Sequence, residues 1–282
     1  MIFAPFAYRT VAAAAGAIDP IVTTWASTAG ITDNGLISAV NTFVGSCKSN
    51  SIWTKMIAIW PMVTDSSTSS GAKTQFKYNL VDPTLYVGTY LNNNSTGAKG
   101  GWTNASGDTF NMNISPNTAG ANYVVGFYTN SDAATTDQID LGVYDGGGEY
   151  VYVIAGRNKS GGNAQVLITP SSAGAAYNAT NAGPFTGLFG GGGNSTTSYA
   201  YRRSSQLGTG AYTSTSRGDA NNFGLGSFFQ TNNTAISPTT KTYQFCFVSQ
   251  FLDTTEFTNL SSAVNTLQGD VDTLYGTTRK AY

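Results

Sequence analysis

Histidine is absent from this chain. That removes the commonest general base and the usual imidazole metal ligand, so Ser-His-Asp and Cys-His sites are excluded. Glutamate is almost absent too, with Glu149 and Glu256 the only two. Charged residues make up 10% of the chain, against roughly 25% in an average globular protein. Basic residues number 14 and acidic ones 15, and no basic run exceeds the two residues of Arg202-Arg203 or Arg279-Lys280. Nucleic-acid binding needs a face that neutralises phosphates, which this composition does not supply. No apolar run approaches the ~20 residues of a spanning helix, so membrane insertion is not expected. The opening stretch MIFAPFAYRTVAAAAGAIDP lacks a basic leader, and Arg9 interrupts it, so it does not read as a signal peptide.

Cysteine is scarce, and Cys47 and Cys246 each sit in apolar sequence. Buried free thiols are the favoured reading, and a Cys47–Cys246 bridge stays open. A metal pair lacks further ligands at suitable spacing. We expect no cofactor, no metal site and no catalytic residues.

What the chain does hold is Ser, Thr, Asn and Gly for polarity, with 40% hydrophobic and 12% aromatic residues for a core. Its length suits one large β domain with helical appendages. Residues 1–30 are small and apolar, with Pro5 and Pro20 breaking any long helix, and read as an attachment arm. Residues 31–62 read as a helical segment packing on a sandwich. Leu36, Val40, Phe43, Val44 and Cys47 recur at helical spacing, and Thr32 or Asp33 can cap the start. Residues 63–252 read as a β jelly roll. Short Val/Ile/Tyr/Phe/Thr runs alternate with Gly/Asn/Ser/Asp clusters, and strands are expected at Thr84–Leu91, Tyr123–Thr129, Gln138–Tyr144, Tyr150–Ala155, Gln165–Ile168, Phe185–Gly190, Ser198–Tyr201, Phe223–Gln230 and Lys241–Gln250. Asp145–Gly148 reads as a hairpin turn. Residues 253–282 form a C-terminal helix and tail, opened by a capping box at Asp253 and Glu256.

Candidate chemistry is sparse. Glycoside hydrolysis needs two carboxylates across one bond. Glu256 already has a capping role, and Asp82, Asp145 and Asp219 sit beside Gly or Pro as turn formers. Asn130, Asp132, Asp137 and Asp140 make an oxygen-rich stretch without EF-hand spacing, so calcium is not expected there. Gly146–Gly148 and Gly190–Gly193 lack a following Lys-Ser/Thr and read as loops. Trp102, Tyr199, Tyr201, Arg202 and Tyr212 flank Gly/Ser/Thr-rich sequence. Rings there can stack on sugars, although core or cross-strand packing is the favoured explanation for them.

One resemblance stands out. Gly30-Ile31-Thr32, Asn41-Thr42-Phe43-Val44, Trp53-Thr54-Lys55, Ile59-Trp60-Pro61 and Asn79-Leu80-Val81-Asp82-Pro83 resemble a pattern of bacteriophage virion structural proteins. The segment 243–268 resembles the strand-then-helix ending of concanavalin A-like domains in such particles. The resemblance implies a mainly β, concanavalin A-like (LamG-like) jelly-roll sandwich with an N-terminal and a C-terminal helix. It implies a non-enzymatic protein on the virion exterior, a capsid decoration or cement protein or a tail or fibre component. Its partners would be other virion proteins and further copies of itself. Attachment would fall to Ile2, Phe3, Phe6, Ile21, Val22 and Trp25. The alternative on the same fold is an adhesin that binds host surface glycans.

Overall fold

The computed structural model describes residues 17–279 except 93, 105–107, 133–134, 137–138, 145–149, 160–162, 170–176, 181–184, 195, 212–220, 231–233 and 237–238. Its helices are α1 (Pro20–Ala29), α2 (Asn34–Ser49), α3 (Ser69–Phe76), the single turn α4 (Pro116–Ala119) and α5 (Thr254–Tyr275).

The strands form two sheets. The first runs, edge to edge, β14 (Ser205–Ala211), β13 (Thr197–Arg202), β12 (Gly187–Asn194), β6 (Tyr123–Thr129), β18 (Thr242–Gln250), β4 (Gly101–Thr103) and β3 (Thr96–Ala98). Strand β1 (Met56–Trp60) pairs with the far end of β18, bringing Trp60 opposite Cys246. The second sheet runs β11 (Tyr177–Thr180), β10 (Asn163–Thr169), β9 (Tyr150–Lys159), β8 (Leu141–Tyr144), β15 (Gly224–Leu225), β5 (Phe110–Asn111) and β2 (Thr89–Tyr90). Strand β16 (Phe228–Gln230) runs parallel to β8 and pairs with β17 (Thr234–Ile236), and β7 (Thr135–Thr136) lies parallel to β9. The remaining ladders between these strands are antiparallel. The result is a mainly β jelly-roll-type sandwich with helices toward both ends of the chain.

Strand pleating divides the interior in two. Successive side chains of a strand point to opposite faces. Val124 and Tyr128 of β6, Leu188 of β12, Tyr201 of β13 and Phe245 and Phe247 of β18 meet the apolar faces of α1, α2 and α5. Val125 and Phe127, Phe189, Ala200, Cys246 and Val248 point the other way. They meet Leu141 and Val143 of β8, Val151 and Val153 of β9 and Phe110 of β5. The molecule therefore has three layers, with the first sheet covered on both faces.

Local chemistry places the helices. Asp33 caps α2 by accepting from the Gly35 and Leu36 amides at 2.8 and 3.1 Å. In α5, Asp253 accepts from the Glu256 amide at 2.9 Å while Glu256 accepts from the Asp253 amide at 2.9 Å, which completes the expected capping box. Lys55 then bonds the Glu256 carboxylate, tying the start of β1 to that cap.

Two sequence expectations change. The segment read as an attachment arm contains α1, because Pro20 occupies the first helical turn behind the Asp19 cap, where its missing N–H costs nothing. Val22 and Trp25 lie in the helical core, and the Trp25 indole donates to the Tyr78 carbonyl at 3.1 Å. They are therefore not free for attachment. Ile21 is partly buried against the same core, and Ile2, Phe3 and Phe6 lie outside the described residues. The Gly190–Gly193 run is not a loop but part of β12, buried between β6 and β13. A side chain at Gly190 would strike the Phe257 ring at 2.5 Å, and one at Gly192 the Tyr123 carbonyl at 2.1 Å. Glycine there lets α5 and β6 approach closely.

Candidate functional site

A polar cleft of about 340 Å³ opens where β3, β4 and β18 meet the chain after α5. It is lined by Ala98, Gly100, Gly101, Thr103, Asn130, Thr242, Thr277 and Thr278. That size suits a small ligand. Its floor comes from the β3–β4 hairpin and from the start of β18, where Thr103 and Thr242 stand opposite each other with their hydroxyls 2.8 Å apart. Gly101 has φ +121, and a side chain on it would meet the Tyr243 carbonyl at 2.5 Å, so the hairpin needs glycine there.

The far wall is a C-terminal strap. Gly276 ends α5 in the left-handed conformation. Thr277 then donates its hydroxyl to Asp272 at 2.7 Å, and the Asn130 side-chain amide donates to the Thr278 carbonyl. Arg279 anchors the strap from below. Its guanidinium is fully buried and donates to Gln268 Oε1 and to the carbonyls of Pro61, Met62, Lys99 and Gln244. Burial pulls its pKa down to about 9, opposed by the Asp272 charge, so the group stays cationic at neutral pH. Beside the cleft, the buried Gln244 side chain accepts from the Asn130 backbone amide at 2.9 Å, while its Nε2 has no acceptor among the described residues. Lys99 lies 4.0 Å over the Tyr275 ring.

The residues expected to contact glycan do not converge. Trp102 is fully buried between the sheets, stacked on Tyr243 with ring centroids 5.6 Å apart. Tyr201 is fully buried on the opposite face of its sheet, stacked on Phe257 and donating to the Leu252 carbonyl at 2.9 Å. Neither ring is available to a ligand. Arg202 is half-buried against the Phe189 ring, and Tyr199 is half-buried beside Phe251. Tyr212 lies outside the described residues. The cleft was missed because four separate segments supply it through threonine, asparagine and glycine, which carry no signature of their own.

Asp33, Asp65 and Asp140 are occupied. Asp33 and Asp65 come close enough to repel each other. Asp65 nevertheless accepts from the amides of Thr32 and Asp33 and from Gln75, and these donors outweigh its burial and hold its pKa low. The Tyr275 hydroxyl does the same for Asp33. Neither carboxyl is held protonated, as a glycosidase acid must be. Asp140, once part of the oxygen-rich stretch, is buried against Lys241 and Tyr243, and Asp137 lies outside the described residues. No group of three or more His, Cys, Asp or Glu poised for a metal occurs among the described residues.

No family model matches the chain, and no curated protein matches it in sequence. Among solved structures it is similar to domain 4 of an extracellular arabinanase from Geobacillus stearothermophilus, solved with arabinotriose. That match has 13% identity and a TM-score of 0.48, covering 73% of this chain and 98% of that one. It is also similar to the CBM40 of a Ruminococcus gnavus sialidase bound to α2,3-sialyllactose, with 14% identity and a TM-score of 0.39 over 56% of this chain and 95% of that one. A Trypanosoma rangeli sialidase mutant with trans-sialidase activity aligns at 10% identity and a TM-score of 0.50, over 82% of this chain and 39% of that one. At these identities the likeness is one of fold.

Proposed function

We propose that this chain is a non-catalytic binding protein of a bacteriophage particle surface, and that its polar cleft takes an uncharged glycan. The ligand class rests on one observation. The side chains that line the cleft are threonine, asparagine and alanine, with backbone from two glycines, and none of them is ionisable. Such a wall offers hydroxyl and amide donors and acceptors at modest desolvation cost, which matches a polyhydroxylated, uncharged ligand.

The particle assignment rests on the sequence resemblance over residues 29–83. Within the fold, the matching residues join the helical layer to the sandwich. Asn79 accepts from the Ile59 and Val81 amides at 2.9 and 3.0 Å, and the Trp60 indole donates to the Lys77 carbonyl at 3.2 Å. The pattern thus has a structural reason of its own, and attachment must be tested separately.

The test is an array of neutral and acidic host polysaccharides probed with the wild type and with Thr103→Val/Thr242→Val. Replacing both partners of a hydroxyl pair by isosteric methyl groups leaves the fold nearly unchanged. Binding to a neutral glycan should weaken about tenfold or more, equivalent to ~1.4 kcal/mol. Binding confined to acidic glycans, or untouched by the double substitution, removes the proposal. Particle attachment is read by deleting residues 1–16, which leaves α1 in place. Normal occupancy of the shortened chain on particles would assign attachment to another surface.

A further inference from the structure

The start of β18 and the start of β8 face each other across the sandwich, and a buried lysine meets a buried aspartate there. Lys241 Nζ lies 3.2 Å from both carboxylate oxygens of Asp140, and each side chain is 1% exposed. The ladder between β18 and β6 shifts register between Tyr243 and Phe245. That irregularity puts Phe245 in the helical core and leaves Tyr243 in the inter-sheet core, although the two are only two residues apart. Tyr243 is thereby placed to donate its hydroxyl to Asp140 Oδ1 at 2.7 Å, with the Thr239 hydroxyl 2.6 Å behind it. Trp102 stacks on Tyr243, and Phe127 meets it edge-on at 5.4 Å.

An ion pair is a costly way to fill such a place, because desolvating two charges offsets most of their attraction. An amide between the same two side chains carries no charge. The amine nitrogen already lies 3.2 Å from both oxygens of the carboxyl whose carbon it would attack, so the site holds the two groups in proximity.

We propose that Lys241 and Asp140 condense into an isopeptide bond that welds the two sheets together. In the dry site one proton passes from the ammonium to the carboxylate, giving a neutral amine and a carboxylic acid. The amine lone pair then attacks Cγ of Asp140, and the carbonyl π pair moves onto the oxygen held by Tyr243. A second proton moves from nitrogen to the hydroxyl of the tetrahedral intermediate. The C–O bond breaks and water departs, leaving one N–H in the amide. Ammonium plus carboxylate thus become amide plus one water, with no oxidant or outside reagent. Tyr243 acts as the oxyanion donor. Burial, reinforced by the Asp140 charge, holds its phenol well above its ordinary pKa, so it keeps the proton it donates.

The experiment is the intact mass of the purified full chain after folding. The wild type should be lighter than its sequence by one water, and digestion should release a branched peptide joining the Asp140 and Lys241 segments. Lys241→Arg, which keeps the cation but cannot condense in this way, should show the full sequence mass. Tyr243→Phe should slow the loss of water by about 10²-fold, which removal of one oxyanion donor typically costs. Folded wild type that keeps its full sequence mass on long incubation overturns the proposal. So does a water loss that maps to any other pair. Both readouts need only the wild type, so a variant that fails to fold leaves the answer intact. The outcome is independent of what the cleft binds.

Discussion

At the scale of single residues, Arg279 carries an unusual burden. It is fully buried, close to the end of the chain, and serves four backbone carbonyls and one side-chain amide. Arg279→Met keeps much of the bulk and removes every donor. Each buried acceptor left unsatisfied costs about 1–3 kcal/mol, so the loss should exceed about 3 kcal/mol. A melting temperature lowered by roughly 6 °C or more follows for a domain of this size. Thermal melts should show that fall, and limited proteolysis should cut the variant first near Thr277. An unchanged melt would mean the strap is held elsewhere. Sequence alone could not show this, because nothing around Arg279 distinguishes it from a solvated tail residue. The same blindness applied to Trp102 and Tyr201. Glycine- and serine-rich neighbours suggested exposed rings, while the pleat directs both inward, to opposite sides of one sheet.

At the scale of elements, the legible parts were those whose signals are local. The Asp33 cap and the 3.6-residue recurrence of Leu36, Val40, Phe43, Val44 and Cys47 announced α2, and Asp253 with Glu256 announced α5. Strand β6 runs from Tyr123 to Thr129 as its β-branched and aromatic residues, interrupted by Gly126, predict. Helix α1 was hidden because a proline that begins a helix looks, without its partners, like one that ends it. The first half of strand β12 was expected, but its Gly190–Gly193 half was hidden because those glycines answer a demand made by Phe257 and Tyr123, far away in sequence. Gly190→Val tests this. Valine favours strands intrinsically, yet here it must displace Phe257, and overpacking of this kind costs about 1–3 kcal/mol. Chemical denaturation should show destabilisation, with Phe257→Ala in the same chain recovering part of it. A stabilised Gly190→Val would contradict the close packing of α5 on β12.

At the scale of the whole molecule, the lack of histidine shapes the response to pH. Histidine is the side chain whose ordinary pKa lies between about 5 and 8. Stability should therefore be level across that range. Below it the aspartates decide. Burial pushes the Asp108 carboxyl up, but the Ser95 hydroxyl and the amides of Asn92, Ser95 and Thr109 outweigh it, leaving the pKa below its ordinary 3.8. Asp33 is lowered chiefly by the Tyr275 hydroxyl and further by its own cap amides. A carboxyl with a lower pKa folded than unfolded contributes fully above its unfolded value, and that contribution drains away as pH falls toward the folded one. Melting temperatures should be flat from pH 8 to about pH 5 and decline below about pH 4. Asp108→Asn should make the acid limb shallower. A decline that begins above pH 5.5 would point to some other titrating group.

The two thiols lie in different compartments of this architecture. Cys47 belongs to the helical core and Cys246 to the space between the sheets, with the first sheet lying between them. Burial lifts Cys47 to about 12 and Cys246 well above its ordinary value, so neither is a ready thiolate. The fold thus asks nothing of its redox surroundings. It needs no oxidase or disulfide shuffling to mature, and the same structure can form in a reducing interior and persist in an oxidising medium.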